Sequence, residues 1–183
     1  MAKKMKQHVL VIDDDEKVCG AIRKTLEQEG WKVTSFAIAA DCLKRPHFAD
    51  CDLVIADVEM LGVGGMDVLA EVRRCAPWLP VVLMTDFGDV RTAARAFKMG
   101  ADDFIEKPIG RETLLLAVEA ALPRMTPRDP LLGTSLTRAE RRILHLILQG
   151  RSNKETARLL NRSVRTIEVH RNRIMKKMGV SSL

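Results

Sequence analysis

The chain has 183 residues, enough for one domain of ordinary size and a second small one. With 46% hydrophobic residues and a net charge of +6, its composition excludes a disordered or fibrous protein, and its apolar runs are too short to span a membrane. The charge is unevenly placed: residues 1–122 hold 16 Lys+Arg against 20 Asp+Glu (net −4), while residues 123–183 hold 14 against 4 (net +10), a density that suits a polyanion such as DNA.

The opening MAKKMKQHVLVIDDD has an apolar run of only four residues, which ends in acids and is unlike a secretory signal. A cytoplasmic protein is expected. Val9–Ile12, Lys32–Phe36, Leu53–Ala56, Val81–Met84 and Asp103–Ile105 read as five short strands, three of them apolar runs of the kind buried on both faces. Amphipathic segments alternate with them. Val18, Ile22 and Leu26 recur at four-residue steps before Gly30, and Val68, Leu69 and Val72 recur before Pro77. Segments around Ala40–Leu43, Val90–Met99 and Glu112–Leu122 complete five helices. Five βα units with short loops predict an open parallel sheet with helices on both faces, and such a sheet carries its functional groups at the carboxyl ends of its strands. Cys19, Cys42, Cys51 and Cys75 have no CxxC pairing and read as buried or idle thiols.

At Pro123 the composition changes. PRMTPRDPLLGTS packs three prolines and a glycine into thirteen residues, and 123–134 is assigned as a linker. Three helix starts follow. Thr137-Arg-Ala-Glu140 and Ser152-Asn-Lys-Glu155 have the capping-box form, and Ser163 can cap a third helix from Val164. Gly150 and Asn161 stand at the turns. Ile143, Leu146, Ile147, Ala157, Leu159, Leu160, Val164, Ile167, Ile174 and Met178 supply apolar faces for a small bundle.

The chemistry gathers at the strand ends. Asp13 and Asp14 follow strand one directly, and Asp57 follows strand three. Carboxylates converging there repel one another by several kcal/mol at intermediate dielectric and call for protons or a cation; a hard ion such as Mg²⁺ (or Mn²⁺) has the right preference for oxygen. Asp15 and Glu16 instead suit the start of the next helix. Thr85 ends strand four and Lys107 follows strand five, a hydroxyl and an ammonium of the kind a phosphoryl group on Asp57 would need. Met60, Met66, Met84 and Met99 read as core fillers.

The motifs IDDD (Ile12–Asp15), DVEMLGVGGMDVL (Asp57–Leu69), MTDFGDV (Met84–Val90) and KMGADDFIEKP (Lys98–Pro108), in this order and spacing, resemble the receiver domain of two-component response regulators over residues 8–122, with the domain bounded at 5–122. The resemblance implies that Asp57 is the phosphoacceptor and that Asp14 and Asp57 ligate the metal directly, with Asp13 acting through water and the Glu59 backbone carbonyl as a further ligand. It also implies that Thr85 and Lys107 contact the phosphoryl group, that Thr85 and Phe104 form the switch, and that the Lys107–Pro108 peptide is cis. Two positions depart from the family pattern. Leu61 stands where proline is usual, and Asp86 where a small residue is frequent; neither touches an implied ligand, but Asp86 adds negative charge near the pocket, so metal affinity or phosphoryl lifetime is expected to differ from the family norm.

Residues 135–183 resemble the LuxR-type helix-turn-helix, carried by LTRAERRILHLILQGRSNKETARLLNRSVRTIEVHRNRIMKKMGV. A basic amphipathic helix also suits a membrane surface or a calmodulin-like partner, but here the preceding capped helices offer a partner for its seam. The resemblance implies that Glu168, Val169 and Asn172 approach bases while Asn153, Lys154, Arg165, Thr166 and Arg173 hold phosphates; the basic patterning of the third helix adds Lys177. The family continues into a fourth helix, whereas the chain stops at Leu183, so this domain is expected to lack its last helix and to bind DNA weakly.

Together these features resemble a response regulator of the NarL/FixJ family: a flavodoxin-like (βα)5 receiver with a parallel sheet, followed by a small all-α helix-turn-helix domain. The implied function is a transcription factor, not an enzyme, whose binding to double-stranded promoter DNA is controlled by a sensor histidine kinase through Asp57, with a homodimer forming on phosphorylation. Val90, Ala94, Lys98, Asp102 and Asp103 mark the expected pairing face. Two other readings stand beside it: an aspartate-based phosphotransferase, for whose second acid Glu59 offers only a partial substitute, and a phospho-switched interaction module with an inactive DNA-binding domain.

Overall fold

Short continuous apolar runs mark the inner strands, and because successive side chains point to opposite faces, each run supplies both cores. In the computed structural model, which describes residues 7–43, 48, 51–122 and 136–180 with the side chains of Arg138 and Arg141 excepted, the strands are β1 (His8–Ile12), β2 (Lys32–Phe36), β3 (Leu53–Asp57), β4 (Val81–Thr85) and β5 (Asp103–Glu106). They form one parallel sheet in the order β2-β1-β3-β4-β5. The three apolar runs are the three inner strands and are buried almost throughout, while β2 and β5 are the half-exposed edges. Leu10, Ile12, Val54, Ala56, Val81 and Leu83 face one core; Val9, Val11, Leu53, Ile55, Val82 and Met84 face the other.

Helices α1 (Glu16–Gln28), α2 (Ala39–Leu43), α3 (Gly65–Cys75), α4 (Val90–Lys98) and α5 (Arg111–Ala121) link or follow the strands. Their ends differ from the sequence expectation by one residue, because the caps decide them. Asp15 is the N-cap of α1 and accepts from the Lys17 N–H, so that helix begins at Glu16; Asp89 caps α4 through the Thr92 N–H. The four cysteines are free thiols, Cys19, Cys42 and Cys51 buried and Cys75 half-buried.

The chain divides into two compact units, Met1–Arg124 and Met125–Leu183. The proposed linker, 123–134, lies outside the described residues, as do residues 181–183. The second unit contains α6 (Arg138–Leu148), α7 (Asn153–Leu159) and α8 (Val164–Met178). Both capping boxes form, on Thr137 with Glu140 and on Ser152 with Glu155, and Ser163 accepts from the Thr166 N–H. Asn161 (φ 49°) and Gly150 (φ 77°) make the left-handed turns that let three helices close on Ile143, Ala157, Ile167 and Ile174. Val164, expected in that apolar face, is exposed instead: it begins α8, before the helix reaches its partners.

Candidate functional site

The register of the sheet assembles the site. Ile12 pairs with Ala56, Asp57 with Met84, and Thr85 with Glu106, so Asp13, Asp57, Thr85 and Lys107 arrive at one carboxyl edge. β1 is where the strand order reverses, β2 lying to one side and β3 to the other, and a crevice opens at such a switch point.

Asp13, Asp14 and Asp57 each place a carboxylate oxygen within 4.8 Å of the others, Asp13 and Asp57 buried and Asp14 exposed. Lys107 Nζ lies 2.9 Å from Asp13 Oδ2 and 3.2 Å from Asp57 Oδ2. Asp57 is 2% exposed, and its Oδ1 has no hydrogen-bond partner among the described residues. Burial raises the Asp57 carboxyl above its usual range, Lys107 opposes that rise, and Asp13 adds to it. For Lys107, burial would lower the ammonium, but its bonds and charge contacts with Asp13 and Asp57 win and push it up to about 12. An all-oxygen donor set with an open buried acceptor can hold a divalent cation.

Around this centre the neighbours are held by backbone. Asp13 Oδ1 accepts from the Asp15 N–H at 2.8 Å, and Asp14 Oδ2 from the Leu61 N–H at 3.4 Å. Thr85 is buried beside the cluster, but its hydroxyl accepts from the Phe87 N–H at 3.1 Å and donates to the Phe87 carbonyl at 3.2 Å, so it is turned into the β4–α4 loop. Phe104 is half-buried against the core. Glu59 is exposed in the loop after β3, and the Lys107–Pro108 peptide is cis. Sequence reasoning missed Gly65, although the paired glycines of GVGGM signal a close approach: a Cβ there would lie 2.3 Å from the Asp57 carbonyl oxygen.

Of the residues expected on the pairing face, Val90, Ala94 and Lys98 are exposed and Asp103 is half-buried; Phe97 on α4 and Leu116 on α5 are larger exposed apolar residues. Asp102 is engaged elsewhere, accepting from Arg73 and from the Val81 N–H at 2.8 Å each.

In the second unit, Arg165, Glu168, Val169, Asn172 and Arg173 are exposed along α8, opposite the buried Ile167 and Ile174. Lys154 is exposed on α7, while Asn153 Oδ1 accepts from Arg171 at 3.3 Å. Thr166 belongs to the α8 cap, its hydroxyl 2.8 Å from that of Ser163. Lys177 is drawn inward to Glu140, 2.7 Å away and buried, a pairing that no spacing in the sequence announces.

Comparison with known proteins agrees with both units. Residues 9–119 match the response regulator receiver domain, and residues 134–183 match the luxR family of bacterial regulatory proteins. The chain is 34% identical to the response regulator protein TodT of Pseudomonas putida over 184 residues, covering 96% of this chain and 81% of that protein. It is 35% identical to the transcriptional regulatory protein FixJ of Azorhizobium caulinodans, covering 96% and 87%. Crystalline full-length FixJ from B. japonicum superposes with a TM-score of 0.58 at 33% identity, covering 97% of this chain and 92% of that one. A parallel receiver sheet with an aspartate cluster, joined to a luxR-type helix-turn-helix, defines a phosphorylation-regulated DNA-binding transcription factor, a signalling protein and not an enzyme. The chain belongs to the NarL/FixJ family of response regulators. No helix among the described residues is long and apolar enough to cross a membrane.

Proposed function

We propose that Asp57 accepts a phosphoryl group from a sensor histidine kinase in the cytoplasm and that the aspartyl phosphate governs how the helix-turn-helix unit engages double-stranded promoter DNA. One observation carries this reading: a buried strand-end carboxylate with an unpartnered oxygen, set 3.2 Å from a buried ammonium and grouped with two further carboxylates. A carboxylate oxygen of Asp57 attacks phosphorus, the bond from phosphorus to the donor nitrogen breaks with its electron pair leaving on the donor, and an acyl phosphate remains. Asp14, Asp57 and the Glu59 carbonyl would hold Mg²⁺ (or Mn²⁺) directly, with Asp13 acting through water; the ion supplies charge neutralisation at the transferring oxygens. Lys107 offers the same oxygens a fixed counter-charge from within the fold.

Thr85 would leave its bonds to Phe87 for a phosphoryl oxygen, and Phe104 would follow into the space released. That shift biases the face built from α4 and α5, which both pack on β5, and favours a homodimer through Val90, Phe97 and Leu116. Two paired receivers raise the effective concentration of the second DNA-binding unit at its half-site. Incubation with acetyl phosphate and Mg²⁺ should add the mass of one phosphoryl group. Undiminished labelling of Asp57→Asn would sink the assignment, and chelation should suppress labelling of the unaltered protein.

A further inference from the structure

Lys107 serves a third carboxylate. Its ammonium, on a side chain 9% exposed, lies 3.6 Å from Asp86 Oδ2, and Asp86 itself is 57% exposed at the mouth of the pocket. One cation therefore ties a solvent-facing acid to the buried pair Asp13 and Asp57; three carboxylates share a single ammonium, and a fourth, Asp14, is grouped with the buried pair. Two consequences follow from that surplus of negative charge, and they have opposite signs. It draws a divalent cation toward the cluster and repels a phosphoanion approaching from solvent. Asp86 also competes for the ammonium that a phosphoryl group on Asp57 would need.

We propose that Asp86 is a positioning residue acting through Lys107: it holds the ammonium toward the mouth, tightens a divalent cation at Asp13, Asp14 and Asp57, and slows the entry of free phosphoanion donors. The donor effect rests on Asp57 being the phosphoacceptor; the cation effect does not. Because Asp86 is more than half exposed, its influence is modest and is screened by salt.

The test uses the full chain. Titration with Mn²⁺ alone, followed by the resonance of the free ion, should show Asp86→Asn binding about three- to tenfold more weakly than the unaltered protein, with Asp86→Glu restoring affinity because it keeps the charge. At saturating Mg²⁺, acetyl phosphate should label Asp86→Asn faster by a similar factor at low salt. That advantage should shrink toward unity near about 1 M salt, where the Debye length is only ~3 Å. A general loosening of the pocket would lower both affinity and labelling, whereas the proposal requires them to move apart. Unchanged Mn²⁺ affinity in Asp86→Asn, or weaker Mn²⁺ binding without faster labelling of a labelling-competent protein, overturns it. If no form is labelled, the phosphoacceptor reading and the donor effect fail together, and the Mn²⁺ titration alone decides the cation effect.

Discussion

Gly65 lies against the backbone of Asp57 so closely that a Cβ would stand 2.3 Å from its carbonyl oxygen and 3.2 Å from Leu83 Cδ2. A backbone oxygen cannot yield without moving Asp57 itself, so the first turn of α3 and the acceptor strand touch only because residue 65 has no side chain. Gly65→Ala is expected to destabilise the receiver unit by about 1–3 kcal/mol, the range for overpacking a tight site. Labelling by acetyl phosphate should fall with it, since the strand end that presents Asp57 is displaced. Urea unfolding and labelling of the same variant measure the two effects, and an unchanged midpoint would contradict the close approach.

Glu140 and Lys177, 37 residues apart, tie α6 to α8. Burial would raise the Glu140 carboxyl, but hydrogen bonds from Lys177 and from Thr137 outweigh it and hold the group below its ordinary 4.5. A depressed folded-state value means that this stabilisation is fully present above pH 4.5 and is lost as pH falls through the lower folded-state value. Lys177→Met leaves a buried carboxylate without its counter-charge, and because Lys177 is partly exposed the expected loss is about 1–3 kcal/mol at neutral pH. The gap between the two proteins should narrow in acid. Thermal melts of the second unit from neutral pH down to acid would show this, and a gap that widens instead would refute the assigned sign.

Much of the site was legible because its geometry follows from topology. Short apolar runs identify the strands, a parallel sheet orders their ends, and Asp13, Asp57, Thr85 and Lys107 each stand at or one residue past a strand end, so they meet at one edge once the strands pair. Helix starts were legible for a similar reason: Thr137, Ser152 and Ser163 act on N–H groups three residues away, within the reach of local pattern. What depends on side-chain direction or on distant chain was not. The Thr85 hydroxyl turning to Phe87 is a rotamer choice, and the Lys177–Glu140 pair depends on how two helices cross. Asp102 falls in the same class: its position suggests the pairing face, but its carboxylate is occupied by Arg73.

Arg73, on α3, gathers two loops, the one after α3 and the one between α4 and β5. Its guanidinium donates to the Leu79 carbonyl at 2.7 Å, to the Gly100 carbonyl at 2.9 and 2.7 Å, and to Asp102 Oδ2 at 2.8 Å. A planar fork can do this and an ammonium cannot. Arg73→Lys should therefore cost about 1–2 kcal/mol, as the net value of one or two lost hydrogen bonds. Amide exchange should quicken at Ala101 and Asp102, whose N–H groups bond to Ala96 and Val81. Exchange no faster than in the unaltered protein would show that the loops hold without the fork.

Along α8 the exposed and buried residues form two complementary stripes. Arg165, Glu168, Val169 and Asn172 follow one another at steps of three, one and three, with Arg173 beside them, while Ile167 and Ile174 lie on the opposite side in the core. A stripe of this kind can lie in the major groove, with its polar middle against base edges and its arginines against phosphates. Replacing Asn172 or Glu168 by alanine should change preference at particular base pairs by about 1–3 kcal/mol where a direct contact is lost. Arg165→Ala and Arg173→Ala should weaken all sequences alike and reduce the salt slope by about one each. Lys177, engaged with Glu140, should contribute to folding stability first, so Lys177→Met should lower the melting temperature whereas Arg173→Ala should leave it unchanged. Binding to a panel of single-base operator variants at two salt concentrations separates these outcomes. A uniform loss for Asn172→Ala, or a sequence-specific one for Arg173→Ala, would overturn the assignment of the stripe.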